Sequence, residues 1–126
     1  MALTARLLGF PPHILPSIQA VEGGQPGVVH LNKDGSADLG LMQINTLWVP
    51  DIAEVAHETI PETQARLVRE PCFNIQAAAL ILRAYWRENG GAWMPAIGDY
   101  HSHTRPLNLA YQAHVMQKAR LLFAGP

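Results

Sequence analysis

The sequence predicts an α+β chain, predominantly α-helical, with one small β-hairpin. Three observations carry this prediction. Between Glu70 and Asn89, the residues Cys72, Ile75, Ala79, Leu82 and Trp86 recur at three- and four-residue spacing, the period of one helix face. Val28, Val29 and Leu31 lead into Asn32-Lys33-Asp34-Gly35-Ser36, a stretch dense in turn-forming residues. The 10 Pro and 10 Gly cluster where elements should end, and no internal repeat, low-complexity tract or linker interrupts the chain. With 126 residues and 48% apolar side chains the chain can bury one compact core, so a single domain spanning 1–126 is expected.

Taken in order, His13 to Val21 carries Ile14, Leu15, Ile18 and Val21 near helical period, with Pro16 tolerated in a first turn and Gly23-Gly24 as the stop. Glu22 then falls at a helix C-terminus, where the helix dipole disfavours a carboxylate and tends to raise its pKa. Gly27 to Leu39 reads as the hairpin or an ordered loop. Thr46 is placed to cap a helix running to about Val55, and Pro61 to Arg69 forms another with Glu62, Arg66 and Arg69 toward solvent. Glu70 to Asn89 is the central core helix, with Asn74, Gln76, Arg83 and Arg87 largely off its apolar stripe. Gly90-Gly91 ends it, a short helix runs from Trp93 toward Tyr100, and Leu107 to Phe123 closes the chain as a helix.

The balance of 9 Lys+Arg against 10 Asp+Glu gives a formal charge of -1, so no global field steers the protein toward nucleic acid or an anionic membrane. Arg105, Lys118 and Arg120 follow the last acid, Asp99, and fit a solvated helix face. Cys72 is the sole cysteine, which excludes a disulfide framework. Its longest apolar run, Ala77 to Leu82, is far below the roughly 20 residues of a membrane span. Met1 to Phe10, with one Arg and a Leu7-Leu8 pair, falls short of a secretory leader.

Chemistry concentrates in Val21-Glu22-Gly23-Gly24 and in the block from Asn32 to Asn45. Cleaving a glycosidic bond needs a proton donor for the departing oxygen and stabilisation of an oxocarbenium-like centre. Glu22 can supply the proton if a helix end and an apolar wall raise its pKa, as in lysozyme, the reference case for such tuning.

These residues carry a resemblance. Asn32 to Asn45 resembles the hairpin-to-helix segment of c-type lysozymes, and Gly40-Leu41-Met42-Gln43-Ile44-Asn45 is similar to the signature of soluble lytic transglycosylases. Downstream, Cys72-Phe73-Asn74-Ile75, Ala78-Ala79, Ile81-Leu82 and Tyr100-His101-Ser102-His103-Thr104 resemble the small transglycosylases of secretion, conjugation and pilus machines. Together these segments run from about Ile14 to Val115. Members of that group commonly place Pro straight after the Thr, whereas Arg105 here precedes Pro106.

The resemblance implies a lysozyme-like fold with the hairpin beside an active-site cleft, and a lytic transglycosylase acting on peptidoglycan. By that resemblance Glu22 is the catalytic acid, Gln43 and Asn45 belong to the sugar-binding segment, and Tyr100 stands beside the acid. Tyr100 also has a plainer reading, as a buried ring with a satisfied hydroxyl. Asp38 occupies the place of the second carboxylate of c-type lysozymes, and its alternative is a turn-finishing acceptor of backbone N–H bonds. Ser36 fits a turn residue, with a cleft contact as its second reading. A hydrolytic lysozyme using Glu22 and Asp38 and a catalytically silent wall-binding component stand as alternatives.

No cofactor is expected. His101 and His103 lie two apart, with His13, His30, His57 and His114 elsewhere, but no His-Glu-x-x-His or Cys-x-x-Cys spacing occurs, so no metal is expected. Trp86 and Trp48 read as core, and Trp93, after Gly90-Gly91, is open to a cleft-wall role. The implied partners are glycan strands and a secretion, conjugation or pilus complex, for a monomer in the periplasm or outside the cell.

Overall fold

A computed structural model describes residues 1–124. Among the described residues, seven α-helices and a small sheet occur in the order α1 (Ala2–Leu8), α2 (Ile14–Glu22), β1 (Val29–Leu31), β2 (Ala37–Leu39), β3 (Ile44–Asn45), a 3-10 turn (Thr46–Trp48), α3 (Val49–Ala56), α4 (Ile60–Arg69), α5 (Pro71–Glu88), α6 (Trp93–His101) and α7 (Arg105–Phe123). The chain is α+β and predominantly helical, as its patterning predicts. Residues group into two compact units, one of 22–78 and one of 1–21 with 79 onward.

In the 22–78 unit the strands form an antiparallel sheet of order β1-β2-β3. The hairpin expected from the turn chemistry is β1-β2, with Val29 opposite Leu39 and His30 opposite Asp38. Its turn is fixed by Asp34, whose Oδ1 accepts the Ser36 N–H at 2.9 Å, and by Gly35 at φ 87°. The third strand, which the sequence did not announce, pairs Asp38 with Asn45 and Leu39 with Ile44. Two residues are too few for a visible period-2 pattern.

Asn45, not Thr46, caps the 3-10 turn: its Oδ1 accepts the Leu47 N–H at 2.9 Å. The Thr46 hydroxyl instead accepts the Ala37 N–H at 3.1 Å and so ties the turn back to β2. Helix α4 begins on Thr59, whose Oγ1 accepts the Glu62 N–H at 3.2 Å. Along α4, Arg66 pairs with Glu58 and Glu70 and lies over the Phe73 ring, so it is half-buried rather than solvated. Leu39, Met42, Ile44, Val49 and Leu67 are among the buried side chains of this unit.

In the other unit, Ala2–Leu8 folds into α1, which Gly9 ends in the left-handed region at φ 73°. Gly98 of α6 is buried under α7, where a methyl group in its place would lie 1.9 Å from Asn108 Oδ1. Trp93 is half-buried rather than fully exposed: its ring meets Phe10 edge-on at 4.7 Å and stacks on Trp86 at 5.5 Å.

Helix α5 matches the predicted span within a residue, but its buried face is wider than the predicted stripe. Ile75, Ala79 and Leu82 are buried as expected, joined by Ala77, Ala78, Ile81 and Tyr85. Two placements are corrected. Cys72 is exposed in the first turn, and Asn74 is fully buried.

Candidate active site

Glu22 is the last residue of α2 and is half-buried. The path of the chain beyond it is dictated by space. Gly24 is buried, and a methyl group there would stand 2.2 Å from the Gly40 carbonyl oxygen, 2.6 Å from that of Leu41 and 3.0 Å from Gln43 Cγ. Only a glycine lets the chain leaving α2 run against the 40–43 turn. Two residues of chain span at most about 7 Å, so the Glu22 backbone is tethered beside the turn that carries Gln43.

That turn is itself under constraint. Gly40 sits at φ 67° and Gln43 at φ 54°, a left-handed conformation that costs a non-glycine residue about 1–2 kcal/mol. The Gln43 side chain folds back, donating from Nε2 to the Gly40 carbonyl at 2.9 Å. A non-glycine residue held in this region is one mark of a site whose geometry matters more than its local energy.

Beneath the turn lies Asn74. Its Nδ2 donates to the Leu39 and Leu67 carbonyls at 2.9 and 2.8 Å, and its Oδ1 accepts the Met42 N–H at 2.8 Å. Three buried backbone groups are thereby satisfied by one side chain. Gly40 is glycine for the same reason, since a methyl group there would lie 2.3 Å from the Leu67 carbonyl and 2.7 Å from Asn74 Nδ2. Sequence reading missed Asn74 as a site-forming residue. The signal was present: Ala77, Ala78, Ile81 and Leu82 lie at i+3, i+4, i+7 and i+8 from it on the buried arc.

Ser36, Asp38 and Asn45 are brought together in one network. Asn45 Nδ2 donates to Ser36 Oγ at 3.0 Å and to Asp38 Oδ1 at 3.1 Å. The Ser36 hydroxyl also accepts from Asn32 Nδ2 at 3.1 Å and donates to Asp34 Oδ1 at 2.6 Å. Exposed Asp34 is held below the usual carboxylate range, first by that hydroxyl and then by the Ser36 N–H. Asp38 is half-buried and engaged across β2 and β3 by an amide, where the sequence suggested backbone N–H donors. Tyr100 belongs to the other unit, half-buried near the end of α6. Glu88, Asp99 and His103, also of that unit, bring one ligand atom each within 4.8 Å of one another.

Glu22, Gln43 and the hairpin network thus share one unit built around the 40–43 turn, and this segment is what a family match would have to cover. A family model described as the transglycosylase SLT domain matches residues 6–121, spanning both units. The chain belongs to this family.

Curated proteins are similar to the chain as well. The chain is 37% identical over 82 residues to invasion protein IagB of Salmonella typhimurium strain SL1344, covering 65% of this chain and 48% of that one. It is 30% identical over 98 residues to protein IpgF of Shigella flexneri, covering 77% of this chain and 60% of that one. The SLT chain here therefore spans about half the length of the curated relatives it matches.

Proposed function

We propose that this chain is a peptidoglycan lytic transglycosylase that cleaves the β-1,4 bond between N-acetylmuramic acid and N-acetylglucosamine. Membership of the SLT family supports the reaction class. The observation that carries the residue assignment is the close approach of Gly24 to the Gly40–Gln43 turn, which tethers Glu22 beside the segment that resembles the family signature.

Glu22 donates its proton to the glycosidic oxygen as the C1–O bond breaks. The muramoyl 6-hydroxyl then attacks its own C1, and the Glu22 carboxylate takes the hydroxyl proton, which restores the acid and leaves a 1,6-anhydro end. One carboxyl group suffices, and no cofactor or metal takes part. Gln43, Asn45 and Tyr100 are assigned to the sugar by the family resemblance, and Ser36 shapes the hairpin. Asp38 is a supporting residue in this reading, because Asn45 already occupies one of its oxygens.

The second reading is a hydrolytic lysozyme in which Asp38 is the partner carboxylate. Mass spectrometry of digested cell wall separates the two: cyclisation gives anhydro ends lighter by one water, and reducing ends alone would reject the first reading. Glu22→Gln should cut turnover about a hundredfold or more while leaving the fold intact. Asp38→Asn should cost far less, whereas a nucleophile's loss would be severe. A silent wall-binding component predicts binding by both wild type and Glu22→Gln with cleavage by neither. A peptidoglycan substrate supports a site of action in the periplasm or outside the cell, and the family resemblance supports work with a secretion, conjugation or pilus assembly. Among the described residues, no helix is long and apolar enough to cross a membrane.

A further inference from the structure

The unit formed by residues 1–21 and 79 onward holds a cluster that the proposed reaction does not use. Glu88 at the end of α5, Asp99 in α6 and His103 in the α6–α7 connection each present one ligand atom, all within 4.8 Å of one another. His103 Nε2 lies 3.9 Å from Asp99 Oδ1 and 4.0 Å from Glu88 Oε2. We propose that these three side chains bind a divalent first-row transition metal of the zinc type, clipping the end of α5, α6 and the α6–α7 connection together.

The donor set decides the class. One imidazole and two carboxylates suit zinc and its neighbours, whereas calcium takes six to eight oxygens. Tetrahedral zinc with bonds of about 2.0–2.1 Å requires ligand atoms about 3.4 Å apart, so the cluster needs to contract by about 1 Å. The exposed partners have room to do this: the Glu88 and His103 side chains are 62% and 65% exposed, while that of Asp99 is 11% exposed.

Asp99 is the fixed point, and it is oriented as metal carboxylates are, by outer hydrogen bonds. Asn89 Nδ2 donates to its Oδ2 at 2.8 Å and Asn108 Nδ2 to its Oδ1 at 2.9 Å, leaving each oxygen a lone pair. The imidazole is steadied by the Tyr85 ring, edge-on at 5.2 Å. A three-residue set leaves the remaining coordination position to water.

Metal-free protein, prepared with a chelator and then freed of it, is titrated with zinc chloride by calorimetry and by thermal melting. One equivalent should bind and raise Tm. His103→Ala and Glu88→Gln, both at exposed side chains, should each weaken binding about tenfold or more and abolish the rise in Tm. Zinc binding unchanged in both variants, through the other histidines, overturns the proposal. So does the absence of binding in the wild type. Neither readout depends on catalysis, so failure here leaves the transglycosylase reading untouched, and the reverse also holds.

Discussion

Asn74 does inside the protein what water does outside it, offering two N–H donors to carbonyls and one acceptor to an N–H. Asn74→Asp keeps the size but sets oxygen against the Leu39 and Leu67 carbonyls. Leaving buried carbonyls without donors costs about 1–3 kcal/mol each, so denaturant unfolding should show a loss on the order of 3 kcal/mol. A loss below about 1 kcal/mol would mean that water replaces the amide. Gln43 poses the opposite case, a side chain whose removal helps the backbone. Gln43→Gly relieves a left-handed residue, so stability should hold or rise by up to about 1 kcal/mol while cleavage of glycan strands falls. Loss of both together would point to a structural role alone. Glu22 and Gln43 were singled out because their types and spacing resemble a family signature, and the close approach of Gly24 to the 40–43 turn keeps both in one unit. Asn74 was not, because helical periodicity sorts residues by polarity and a buried amide satisfying backbone groups reads as a solvent-facing one.

At the scale of elements, the long helices were legible and the short pieces were not. Helix α5 is read from eighteen residues of repeating pattern, whereas β3 has two residues and exists because Leu39 and Asp38 offer it a register. Asn45 likewise became a cap only once the 3-10 turn intervened before α3. Cys72 was misplaced at the end of the stripe, where the first turn of α5 leaves it exposed. Helix α3 ends on His57 at φ 55°, the position glycine favours because it carries no Cβ. His57→Gly should therefore raise stability by about 0.5–1 kcal/mol, a gain in Tm of about 3 °C, with no change in turnover. An unchanged or lower Tm would show that His57 makes compensating contacts.

For the whole molecule, the formal charge of -1 bears on kinetics rather than on fold. If the proposed transglycosylase reading holds and no long-range field guides the chain to its substrate, kcat/KM on soluble glycan fragments should change less than about twofold between about 0.1 M and 1 M salt. A steep fall would reveal a local charged patch that the overall balance hides. The contacts made by Asn74 also set an order of assembly. They join residues 32 and 35 positions apart, and that stretch of chain must be closed before either bond forms. The 40–43 turn then takes its shape late, only once the first half of α5 has docked beneath it. Substitutions that loosen α5 should switch off the proposed cleavage at denaturant concentrations where most of the helical signal persists, a partial unfolding confined to the 40–43 turn.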